Sequence, residues 1–139
     1  MNIKKKKIRV LIVEPTKEPY VKRIDNSLEA KQKIVNGLVE FVELENNVDL
    51  ICNESGKLDN LEMNRIIKND VICGTFIVAG QQNGYTISLT EDQIKKYKDY
   101  FNWKKNSLSI ELLKIHYGQS SKLLDYDLTG VEMLKDIKF

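Results

Sequence analysis

The densest group of residues able to do chemistry is Asn53-Glu54-Ser55-Gly56-Lys57, followed closely by Asn64-Arg65. A glycine between a carboxylate and a lysine, just after a strand, can turn backbone N–H groups toward an anion. Lys57 and Arg65 would then clamp a phosphate, the arginine with two parallel N–H groups. The spacing GxxxxGK[ST] is absent, so this is not a P-loop. The competing reading is a solvated turn in which Asn53 and Gly56 meet special backbone angles and Arg65 pairs with Glu54. A second polar patch, Glu14-Pro15 and Pro19-Tyr20 with Lys17, Lys22 and Arg23, falls at a strand end, where binding loops often sit. Its competing reading is a crossover stiffened by two prolines. The expected ligand-binding set is therefore Asn53, Glu54, Lys57, Asn64, Arg65 and Glu14.

Catalytic and metal chemistry find less support. His116 is the single histidine, with no serine or cysteine elbow beside it, and its place near a helix end suits a cation facing the dipole. Carboxylates are plentiful, but no pair carries an acid/base signature. Cys52 and Cys73 form no CxxC motif, and a structural zinc site needs four ligands. Both are expected to be reduced, half-buried strand residues. We therefore expect no catalytic residue, no metal and no cofactor. Tyr97, Tyr100, Phe101 and Trp103 resemble a base-stacking platform, yet their helical spacing favours a core stripe. The 22 basic and 20 acidic side chains nearly balance, which argues against a dedicated nucleic-acid binder. The run Lys4–Lys7 reads as a frayed, solvated terminus. No apolar run approaches the roughly 20 residues of a membrane span. Ile8–Val13 is too short for a secretory h-region, and Glu14 and Pro15 interrupt it, so a cytoplasmic location is expected.

These residues need elements to position them. Ile8–Glu14 is rich in β-branched residues and predicts a strand. Pro15–Asp25 predicts an irregular connection. Asn26, three residues before Glu29, predicts a capped helix running to about Val35 and stopping at Asn36-Gly37, with the glycine left-handed. Leu38–Leu44 and Val48–Cys52 predict a hairpin. Asn53–Lys57 is a turn, and Leu58–Asn69 a loop or short helix. Val71–Ala79 predicts one central strand, with Tyr85–Leu89 returning antiparallel after a turn at Gly80–Gly84. Thr90 through Gln93 is a capping box opening a helix with Ile94, Tyr97 and Phe101 inward, closed by Trp103. Ser107–Tyr117 is ambiguous between strand and helix. Asp127–Phe139 predicts a short amphipathic helix with Val131, Leu134 and Ile137 inward.

Taken in order, several of these features form a familiar pattern: Val13-Glu14-Pro15 with Pro19, Ile24 to Ala30, Asn53-Glu54-x-Gly56-Lys57, Asn64-Arg65, Gly74-Thr75-Phe76, and Leu89-Thr90 through Gln93 into Tyr97 and Phe101. The chain resembles, from about residue 8 to 101, a family called domain of unknown function thirty-eight forty-six, common on phages and conjugative elements of Gram-positive bacteria. It departs from that pattern at Thr16, where glycine is expected after the proline, and at Asn36, where the first of two glycines is expected. The resemblance implies an accessory protein of a mobile element. Such proteins often oppose host defence by binding a defence protein, sequestering its nucleotide signal or regulating transcription. It transfers no catalytic residues.

The expected architecture is α+β, a mixed or mainly antiparallel sheet of about five strands, with the helices after Asn26 and Thr90 packed on one face. A basic N-terminus (1–7), a core domain (8–104) and a C-terminal helical extension (105–139) are expected. The expected function is non-enzymatic counter-defence through sequestration of a small anionic, nucleotide-like ligand. The alternatives are a protein–protein inhibitor of a host defence protein acting through Leu123, Leu124, Val131, Leu134 and Phe139, and a nucleic-acid-binding regulator. Self-association into a homo-oligomer is a further expectation.

Overall fold

The computed structural model describes residues 6–117. Eight strands and three helices follow one another: β1 (Lys7–Val13), β2 (Tyr20–Asp25), α1 (Leu28–Val35), β3 (Val39–Glu45), β4 (Val48–Asn53), β5 (Met63–Ile67), β6 (Asp70–Cys73), β7 (Phe76–Gln82), β8 (Tyr85–Ile87), α2 (Glu91–Tyr100) and α3 (Trp103–Tyr117). Six strands form the main sheet in the order β2-β1-β7-β4-β3, with β8 paired to the far end of β7. Every pairing is antiparallel, and β5 and β6 form a separate two-stranded hairpin. The fold is α+β.

The central strands carry apolar residues on both faces because the sheet is covered on both sides. Along β1, Ile8, Val10 and Ile12 face a core layer with Ile24, Val35, Ile51, Ile77 and Ala79 beneath α1. Leu11 and Val13 face the other layer, with Leu50, Phe76 and Val78 against Ile94 and Tyr97 of α2 and Phe101 at its C-terminal end. Successive side chains of a strand point to opposite faces, so a sheet buried on both sides loses the polar alternation. The two helices thus lie on opposite faces, not on one as expected. A third cluster joins Met63, Ile66, Val71 and Cys73 of the hairpin to Ile110 and Leu113 of α3.

Other expectations are corrected. Tyr20–Asp25 is a full edge strand in register with β1, because the prolines occupy only its approach. The segment after Leu58 contains β5, where apolar residues are buried on both faces and give no alternation to read. The apolar run Val71–Ala79 is two strands, not one. Gly74, at φ +85°, turns the chain between them, and a Cβ there would lie 2.7 Å from Leu61. Ser27 caps α1 by accepting from the Ala30 N–H, while Asn26 bonds Thr86 O and the Lys31 ammonium. Asn36 takes the left-handed turn after α1 at φ +62°, and Gly37 does not. The Thr90–Gln93 capping box is present in both its bonds. Trp103 opens α3 instead of closing α2, and Ser107–Tyr117 is helix. Asn102 Oδ1 accepts from Lys105 N, and the Glu18 carboxylate accepts from Trp103 N. The helix expected over 127–139, and its apolar residues, lie outside the described residues.

Candidate functional site

Where β4 leaves the main sheet, the chain turns through Glu54–Leu58 and passes beneath the β5–β6 hairpin. The result is a cavity of about 310 Å³ lined by Glu40 of β3, Cys52 and Asn53 of β4, residues 54–58, and Asp70–Cys73 of β6. Its apolar lining comes from Leu58, Val71 and Ile72. The rest carries the carboxylates of Glu40, Glu54 and Asp70, the Lys57 ammonium and both thiols.

Local chemistry explains the shape. Asn53 is buried, and its side chain is spent on structure: Nδ2 donates to Val35 O and Asn36 O, both at 3.1 Å, tying β4 to the end of α1. Its Oδ1 accepts from Ser55 N at 2.8 Å and Ser55 Oγ at 3.2 Å, which sets the turn. Gly56 then passes so close to β6 that a Cβ would lie 2.7 Å from Cys73 O. Lys57 pairs with Asp70 across the mouth. Asp70 Oδ1 also accepts from Val71 N at 2.9 Å.

Neither Cys52 nor Cys73 is in a disulfide, and both are buried, not half-buried. Burial, then the Glu40 and Asp70 carboxylates, pushes the Cys52 thiol up to about 12. It stays protonated at neutral pH and is a poor nucleophile. Among the described residues, no group of three or more His, Cys, Asp or Glu side chains could hold a metal ion. The arrangement offers binding surfaces, not an activated nucleophile.

Of the six residues the sequence singled out, Asn53, Glu54 and Lys57 meet at this cavity; Asn64, Arg65 and Glu14 do not line it. Asn64 Nδ2 donates to Val13 O and Gly74 O, joining the end of β1 to the β6–β7 corner. Arg65 is wholly buried. Its Nε–H bonds Phe101 O; one terminal nitrogen bonds Asn64 O and Oδ1; the other bonds Lys17 O and Phe101 O. Those bonds use all five guanidinium donors. The guanidinium also stacks 4.9 Å from the Trp103 ring. Burial lowers it to about 10, opposed by Glu18, so it remains charged. Arg65 thus ties the 14–18 loop, the end of α2 and the start of α3 to β5, and it makes no bond to Glu54.

Glu14 sits in that loop, 3.6 Å from the Lys17 ammonium. Burial and a hydrogen bond to Glu14 push Tyr20 up to about 12. Glu40 and Asp70 carry no signal of a site in the sequence, because they reach the cavity only through strand pairing. Neither face of Leu38–Leu44 is cleanly polar, so the side that meets a cavity is not legible from it.

No curated protein and no solved structure matches this chain. The family model described as Domain of unknown function (DUF3846) matches residues 8–102, covering both sheets, α1 and α2. The chain belongs to the DUF3846 family.

Proposed function

We propose that this chain is a non-enzymatic ligand-binding protein that holds a small nucleotide-like molecule in the cavity beneath the β5–β6 hairpin, with Lys57 meeting its anionic group. The observation that carries this reading is the cavity itself. Its volume, about 310 Å³, lies at the lower end of the range for small-molecule sites, and its lining joins apolar residues to a few polar ones. The resemblance to proteins of phages and conjugative elements supports a setting in counter-defence, where sequestering a signal needs no catalysis. Native mass spectrometry after incubation with a nucleotide-rich cell extract tests it. A retained small mass, lost on Lys57→Ala, is expected; an unchanged apo mass would sink the reading.

A second reading, a protein–protein inhibitor, is favoured by one observation. Leu108 and Ile115, a helical two turns apart on α3, are 62% and 80% exposed. Loss of counter-defence activity in Leu108→Glu/Ile115→Glu, with ligand binding intact, would select it.

A further inference from the structure

Building on the ligand-binding reading, we propose that the cavity selects a ligand that presents N–H donors to Glu40 and carries at most one negative charge. The amino edge of a nucleobase and a free amine share this chemistry. The wall composition is the first argument. Carboxylates outnumber ammonium groups by three to one in the lining, and the ammonium of Lys57 is already paired with Asp70. An ionised carboxylate only accepts hydrogen bonds. The amide of Asn53, which would offer both donor and acceptor, is spent on Val35, Asn36 and Ser55. The polar capacity facing a ligand is therefore chiefly acceptor.

The second argument is the field inside the cavity. Cys52 lies in its wall, 3% exposed, with its Sγ 3.9 Å from Glu40 Oε1. Burial first, and then the Glu40 and Asp70 carboxylates, oppose ionisation of this thiol, and those two carboxylates put negative charge beside it. A triphosphate or a linked dinucleotide would bring several negative charges into that field. The third argument is size: about 310 Å³, with Leu58, Val71 and Ile72 in the lining, suits one small molecule and not two joined nucleotides.

Calorimetric titration of the full chain with matched probes tests this. Cytidine against pyrimidin-2-one riboside, and adenosine against purine riboside, each remove the exocyclic amino group, put no ring N–H in its place and carry no charge. The amino member of any pair that binds is expected to bind about tenfold tighter or more, because its partner offers Glu40 no donor. The corresponding nucleoside triphosphate should bind more weakly than the nucleoside. Glu40→Gln should abolish the preference, with an unchanged urea midpoint showing that the fold persists. Binding of spermidine alone, weakened by the same substitution, would support the donor requirement and assign it to a free amine. Equal or tighter binding of the member without the amino group, tighter binding of the triphosphate, or a preference that survives Glu40→Gln would overturn the inference while leaving a ligand site. Failure of every probe and of the cell extract would overturn the ligand reading as well.

Discussion

Arg65 shows how one side chain can resemble a ligand clamp in sequence and act as a joint in the fold. Its bonds to Lys17 O, Phe101 O and Asn64 leave no donor for an anion. Replacing it by methionine strands these buried acceptors, and Arg65→Met should cost about 3 to 5 kcal/mol. Arg65→Lys should recover little of that, since a point charge cannot reproduce a planar five-donor fork. Urea unfolding midpoints check both. Thr16 is a β-branched residue at φ +66°, a conformation that glycine adopts freely. Thr16→Gly should stabilise the protein by roughly 0.5 to 1 kcal/mol. Asn36→Gly, at φ +62°, should change little, because asparagine already tolerates this region. Both positions thus fall where the backbone favours glycine. The Cys52 thiol sets a pH dependence. Its ordinary value is 9.0 and the fold raises it to about 12, so the folded state keeps a proton that the unfolded chain releases. The associated stability is complete below pH 9 and is lost as pH climbs toward 12. At pH 10 the loss is about 1 kcal/mol. Cys52→Ala should shrink the stability difference between pH 8 and pH 10 by about that amount, measured by denaturant unfolding.

At the scale of elements, the division of Val71–Ala79 into β6 and β7 depends on Gly74. A side chain at φ +85° is strained, and its Cβ would press on Leu61. Gly74→Ala should cost about 2 kcal/mol and loosen the hairpin that roofs the cavity. Thermal unfolding reads the first effect, and hydrogen exchange at Val71 and Ile72 the second. Helix α2 was legible because its capping box and its stripe of Ile94, Tyr97 and Phe101 are local signals. Strand β5 was not, because Met63–Ile67 is buried at every position and contains Asn64 and Arg65, residues that usually mark surface. Their burial is permitted only because distant carbonyls satisfy them.

For the molecule as a whole, the family match ends at residue 102, but the packing does not. Ile110 and Leu113 of α3 cover the back of β5–β6 with Met63, Ile66, Val71 and Cys73. A chain ending at Asn102 should expose that layer and unfold or aggregate, whereas one ending at Tyr117 should keep a cooperative thermal transition. Leu113→Ala alone should cost about 2 to 4 kcal/mol. Sequence by itself determined the α+β class, the β3–β4 hairpin, the return of β8 and the capped start of α2, since each rests on periodicity or on contacts within a few residues. It also marked Glu54 and Lys57. Only the tertiary structure decided that α1 and α2 take opposite faces, that Arg65 and Asn64 are internal joints, and that Glu40, Cys52 and Asp70 meet around one cavity. Those outcomes depend on which strands pair across tens of residues, and no local pattern encodes such partners.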